Sequence, residues 1–204
     1  MSDPALTPAG RHQTVVILDF GSQYTQLIAR RVRENRVYCE VHPFDLPVEE
    51  IRRRQPIGVI LSGGPQSVYE AGAAHPDARL YELSVPMLGI CYGMQAMAHA
   101  LGGSVEGAGQ REYGRAEISI ASPGELFAGL GRRETVWMSH GDHIAAPPPG
   151  FAVTASTANT PVVAFEHPEQ QLWGIQFHPE VSHTVSGSAI LRNFLYEGCA
   201  ARGD

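Results

Sequence analysis

The sequence predicts an α/β domain built on an open, mainly parallel twisted sheet flanked by helices, with an antiparallel section in its second half. Three observations carry that expectation. Strand-like and helix-like segments alternate through residue 102, the pattern of parallel strands joined by right-handed crossovers. The runs at 14–20 and 57–61 are β-branched and apolar almost without interruption, as strands covered on both faces should be. Beyond Gly103 short strand-like runs follow one another, with one further helix near the end.

The elements follow in order along the chain. TVVILDF at 14–20 is a buried strand, punctuated by Gly21-Ser22. From 23 to about 34, Leu27, Ile28 and Val32 recur at helical spacing with arginines between them. Residues 37–42 form a second strand, Pro47 opens a short helix through Arg54, and IGVIL at 57–61 is a third strand. After the loop SGGP at 62–65, a helix is expected over 76–83. A strand ending at Ile90 leads straight into a helix starting near Tyr92, with Met94, Met97, Ala98 and Leu101 on one face. In the second half, strands are expected over 116–120, 135–138, 152–155, 162–165 and 172–177, and a last helix over about 188–196. No repeat or linker divides the chain. Residues 14–204 therefore read as a single domain behind a loose, flexible tail at 1–13, and PPP at 147–149 reads as a stiff surface turn.

Composition narrows the function classes. The 204 residues suffice for one sizeable core. A formal net charge of -6, with no charge run longer than Arg52-Arg53-Arg54, argues against nucleic acid as the main partner. No apolar stretch approaches the roughly 18 residues of a membrane span, and the opening MSDPALTPAGRHQ lacks the apolar core of a signal peptide. The cysteines at 39, 91 and 199 are odd in number and show no CxxC spacing, so a reduced, cytoplasmic protein is expected.

Three loops sit where ligands bind in open α/β sheets, outside the carboxyl ends of strands. GICYG at 89–93 has the form of a nucleophile elbow with cysteine in place of serine. Small neighbours permit a sharp turn, and the amino end of the following helix favours a thiolate. The competing readings of Cys91 are a packed core cysteine and a metal ligand; Cys39 and Cys199 have no such context and read as packing. In FHPE at 177–180, Pro179 holds His178 extended, so the Glu180 carboxylate should lie beside the imidazole, as a base and its orienting group. A bare surface pair is the alternative. In SGGP, adjacent glycines bring backbone N–H groups close to a ligand, and one of them with the Tyr92 N–H could form an oxyanion hole. A plain tight turn or a phosphate loop would also suit it. MSHGDH at 138–143 could line the same pocket. His140, His143, His178 and His183 invite a metal reading, against which no HExxH or CxxC frames them, so no metal is expected.

Together the GxCxG elbow, the SGGP loop and the FHPE pair resemble the class I (Cys-His-Glu) glutamine amidotransferases. DFGSQYTQLIARRVRE, ILSGGPQSVYE, GICYGMQ, MSHGDHI and QFHPEVSHT are similar to the amidotransferase domains of GMP synthetases, from about residue 14 to 196. The resemblance implies a flavodoxin-like sheet and the following roles. Cys91 attacks the glutamine side-chain amide, His178 moves protons, and Glu180 orients His178. Backbone N–H groups of Gly63 and Tyr92 hold the oxyanion, Gln95 contacts the substrate, and the Ser139–His140 backbone binds its α-amino and carboxylate end. Asp142, His183 and Thr184, expected near the pocket mouth, would signal to a synthetase. That partner, the ATP-pyrophosphatase domain or subunit using ATP and Mg²⁺ to aminate XMP, is absent from this chain, which needs no cofactor of its own. The chain is then an excised domain or a stand-alone subunit. Two rivals remain: a glutamine-sensing docking module without turnover, and another cysteine hydrolase on the same scaffold.

Overall fold

The computed structural model describes residues 12–203. Its first strand, β1 (Thr14–Asp19), sends alternate side chains to opposite faces, Val15 and Ile17 into one core cluster and Val16 and Leu18 into another. It pairs in parallel with β2 (Tyr38–Pro43) and with β3 (Gly58–Leu61), and β3 pairs in parallel with β4 (Met87–Ile90). The next neighbour of β4 comes from far along the chain. This is β9 (Leu172–Ile175), parallel to β4 and antiparallel to β8 (Ala164–His167), so it joins the two halves of the sheet. β7 (Ala152–Ser156), β5 (Ser104–Ile120) and β6 (Arg133–Ala146) extend the antiparallel half. The nine strands lie in the order β2-β1-β3-β4-β9-β8-β7-β5-β6. Its first five members have the flavodoxin-like order, whose ligand crevice opens at the strands' carboxyl ends.

Helices cover both faces. α1 (Thr25–Glu34) buries Thr25, Ile28, Ala29 and Val32, one stripe at helical spacing, and shares its cluster with Ile190 and Leu191 of α4 (Gly187–Asn193). On the other face lie α2 (Val48–Arg54), through Val48 and Ile51, and α3 (Tyr92–Ala100), through Met94 and Met97. Each fully buried Ile, Val or Met contributes about 1.5–3 kcal/mol.

The structure differs from the sequence expectation in five elements. The helix expected over 76–83 is a single 3₁₀ turn, Ala78–Glu82, in which only Leu80 is buried. One apolar anchor is too little for an amphipathic helix, and Pro86 ends the segment. β5 and β6 run far beyond the short strands expected at 116–120 and 135–138. Their extra length bears glycines and charges and alternates with solvent, so its apolar signal is weak. β8 starts at Ala164, while Val162 makes only an isolated bridge to Ile144. The last helix gives way after Asn193 to a π-helical turn, Phe194–Gly198. Of the tail expected at 1–13, all but His12 and Gln13 lie outside the described residues. Gln13 is tied to the chain's other end, accepting from the Arg202 N–H at 2.7 Å.

Candidate active site

The carboxyl ends of β1, β3, β4 and β9 surround a cleft of about 580 Å³. Gly21 to Tyr24 reach it after β1, Gly64 to Ser67 after β3, Cys91 and Tyr92 after β4, and His178 after β9. Residues 139–142 of β6 and Tyr113 of β5 close one side. Between the pairs Gly107↔Asp142 and Glu112↔His140 the β5–β6 register shifts, and this irregularity lies where β6 meets the cleft.

Cys91 occupies a strained elbow, with φ 52° and ψ -109° at the N-cap of α3. Its flanking glycines have a steric reason. A Cβ on Gly93 would stand 2.4 Å from the Leu61 carbonyl oxygen, and one on Gly89 would stand 2.7 Å from the Met94 nitrogen. The helix thus presses on the ends of β3 and β4, and the turn has no room for larger neighbours. The Cys91 N–H donates to the Ile175 carbonyl at 2.8 Å, which stitches the elbow to β9. The thiol is 5% exposed and lies at the cleft wall.

Just beyond β9, the imidazole of His178 meets the carboxylate of Glu180, Nδ1 to Oε1, at 2.7 Å. Glu180 is fully buried and His178 nearly so. A turn at Pro179–Glu180 brings the two together, in place of the straight extended segment expected from the sequence. The backbone around them is clamped. The His178 N–H donates to Trp137 O at 3.1 Å, the Thr184 hydroxyl donates to His178 O at 2.6 Å and accepts from the Trp137 N–H at 3.0 Å, and Arg31 Nε donates to Glu180 O at 3.0 Å. Tyr24 packs edge-on against the imidazole. Burial opposes the charged form of His178, but the Cys91 sulfur and the Glu180 carboxylate outweigh it and push the imidazole up to about 10. At neutral pH the ring is an imidazolium, the counter-charge that a thiolate requires. With Nδ1 facing Glu180, Nε2 is left for the sulfur.

The sequence profile of the class I glutamine amidotransferases matches residues 16–197. The chain belongs to that family. The GMP synthase [glutamine-hydrolyzing] of Carboxydothermus hydrogenoformans is 54% identical over 190 residues, which is 93% of this chain and 37% of that protein. The enzyme of the same name from Streptomyces coelicolor is 52% identical over 98% of this chain and 38% of its own length. The amidotransferase chain thus spans little more than a third of these relatives and is homologous to their glutamine-hydrolysing part. Among solved structures, a GMP synthase subunit from Thermoplasma acidophilum superposes with a TM-score of 0.85 at 33% identity, over 94% of this chain and 96% of its own. A glutamine amidotransferase from Thermotoga maritima, at 20% identity and a TM-score of 0.76 over 94% of this chain and 100% of its own, has the same fold.

Most of the residues singled out in the amidotransferase sequence meet at the cleft. Cys91, Tyr92, Gln95, Ser139, His140, Asp142 and His178 line it, and Glu180 lies behind His178. Gly63 runs against the same centre, since a Cβ there would stand 3.2 Å from His178 Cε1 and 3.6 Å from Cys91 Cβ. As the first residue of α3, Tyr92 has no intrahelical acceptor for its N–H. The Ser139 carbonyl lies 3.7 Å from Cys91 Sγ. His140 is buried, with Nδ1 2.7 Å from Asp142 O; burial holds its imidazole below the usual range, against the opposing pull of that carbonyl and of Glu112. Thr184 and His183 do not line the cleft: Thr184 is the buried clamp on His178, and the His183 ring packs at a tilt against Trp137, centroids 4.4 Å apart. Among the described residues no group of three or more His, Cys, Asp or Glu is placed to hold a metal ion, and no helix is long and apolar enough to cross a membrane.

Sequence reasoning misses two contributors. It reads Gly21-Ser22 as a turn and Tyr24 as the start of a helix, although the loops at the carboxyl ends of parallel strands are what form the crevice in such a sheet. It takes Gln176 as part of a strand; the position two residues before His178 is the available signal.

Proposed function

We propose that this chain is the glutaminase half of a GMP synthetase, supplying ammonia from L-glutamine to a synthetase domain or subunit. The observation that carries the reading is the placing of Cys91 and the hydrogen-bonded His178–Glu180 pair at one cleft on adjacent parallel strands. Cys91 Sγ attacks the side-chain amide carbon of glutamine, forming a C–S bond and a tetrahedral oxyanion. The N–H groups of Gly63 and Tyr92 donate to that oxygen; removal of one such donor typically costs ~10²–10³-fold in rate. His178, holding the proton at Nε2, delivers it to the leaving nitrogen as the C–N bond breaks, and ammonia departs from a γ-glutamyl thioester. The neutral imidazole then takes a proton from water, which attacks the thioester and releases glutamate and the thiolate. Glu180 stabilises the imidazolium and fixes the ring's tautomer throughout. Gln95 and the backbone at Ser139–His140 hold the substrate.

The ammonia passes to an ATP-pyrophosphatase partner, where ATP and Mg²⁺ adenylate XMP and amination yields GMP. The identity over nearly the whole chain to parts of GMP synthases supports this destination. We place the activity in the cytoplasm, in keeping with three free cysteines. The test is ammonia release from L-glutamine, with and without a GMP synthetase ATP-binding half. Release that rises with the partner is expected. No release in either condition would favour a glutamine-sensing module, and release from peptides instead would favour another hydrolase.

A further inference from the structure

Gln176 is fully buried between the two groups that the reaction uses. It follows β9 directly, and its backbone N–H donates to the Val163 carbonyl at 2.8 Å, so its position is fixed by the sheet. Both ends of its side-chain amide are engaged. Nε2 donates to Cys91 Sγ at 3.7 Å, and Oε1 accepts from Gln95 Nε2 at 3.1 Å.

Each end has a chemical consequence. The Ser139 carbonyl, 3.7 Å from the sulfur, is an acceptor and suits an S–H. The Gln176 N–H is a donor, and a donor favours the charged form of the group it meets. At the opposite end, Gln95 spends both hydrogens of its NH₂, one on Gln176 Oε1 and one on the Asp142 carbonyl at 3.1 Å. Its carbonyl oxygen is then the polar atom left for the cleft. A substrate amide or ammonium brings N–H donors, and an acceptor is what they need.

We propose that Gln176 is a further functional residue of this site, donating to the Cys91 thiolate and holding Gln95 with its acceptor toward glutamine. The inference rests on the glutaminase reading above. Its test measures iodoacetamide alkylation of Cys91 in the whole chain, located by peptide mass, as a function of pH and of glutamine concentration. Neither readout needs turnover. In Gln176→Met, which keeps the side-chain length without either polar end, the pH midpoint of alkylation should rise by about one unit. The glutamine concentration that half-protects Cys91 should rise about tenfold. If Met proves unable to fold, Gln176→Asn, one methylene too short to span both partners, should move both readouts in the same directions. An unchanged pH midpoint in a folded variant overturns the thiolate role, and unchanged protection overturns the orienting role. Failure of wild-type Cys91 to react ahead of Cys39 and Cys199 would instead overturn the glutaminase reading itself.

Discussion

At the scale of residues, the chemistry turns on His178 between a sulfur and a carboxylate. Because these two neighbours raise the imidazole to about 10 against the cost of burial, glutamine hydrolysis should hold a plateau through neutral pH and fall on an alkaline limb near that value. Glu180→Gln removes one of the two raising groups, so the limb should move to lower pH and kcat should drop by about 10⁴-fold, as the same carboxylate-to-amide change does in a Ser-His-Asp triad. A limb that stays in place in that variant would separate Glu180 from the ionisation of His178. The same shift bears on stability. The folded-state value lies above 6.5, so the stabilisation from protonated His178 is complete below pH 6.5 and is lost as pH rises through about 10. Urea midpoints of the wild type should therefore decline over that interval more than those of His178→Gln. An equal decline in both would place the titrating group elsewhere.

At the scale of elements, the elbow and the clamp behind it decide whether those residues meet. Gly93→Ala drives a methyl into the Leu61 backbone. It should cost about 1–3 kcal/mol, or about 2–4 °C of Tm per kcal/mol in a chain of this size. Gly131→Ala, where the added Cβ finds only ordinary contacts, should stay within about 0.5 kcal/mol. Thermal scans of the two variants side by side check the difference. Thr184→Val removes the two hydrogen bonds that hold His178 O and the Trp137 N–H, at a cost of about 1–3 kcal/mol. It should lower basal and partner-stimulated glutaminase alike, since it acts through His178; a loss confined to stimulation would instead support the signalling role expected for it from sequence. The elbow, the FHPE pair and the first four parallel strands are legible in the sequence because each has a local signature: glycines at a crowded turn, a proline between two functional groups, short runs rich in β-branched and apolar residues. The fifth, β9, reads from sequence as part of the antiparallel section, because nothing local in its apolar run tells that it pairs in parallel with β4. The β5–β6 hairpin is not, because its alternating polar surface buries too little to mark its length. Gln176 stays hidden for a related reason, since a single polar residue in an apolar strand shows its partners, Cys91 and Gln95, only after the sheet brings them together.

At the scale of the whole molecule, β9 is the piece that matters most. It runs parallel to β4 and antiparallel to β8, so one strand end places His178 beside Cys91 while its other edge supports the antiparallel half that carries Ser139 and His140. His183 packs against Trp137 outside the cleft, and the sequence reading expects it to signal to a synthetase partner. His183→Ala should then reduce stimulation by the synthetase half more than the basal rate, whereas equal losses would make the ring only a local brace. The central claim is that Cys91 forms a covalent bond to glutamine. Mixing the chain with L-glutamine and the synthetase half, quenching in acid and weighing the peptides tests it most directly. One γ-glutamyl group is expected on the peptide bearing Cys91, and in Cys91→Ala neither the adduct nor ammonia release within about 10⁴-fold of the wild-type rate. Undiminished release by Cys91→Ala, or an adduct on another residue, would contradict it.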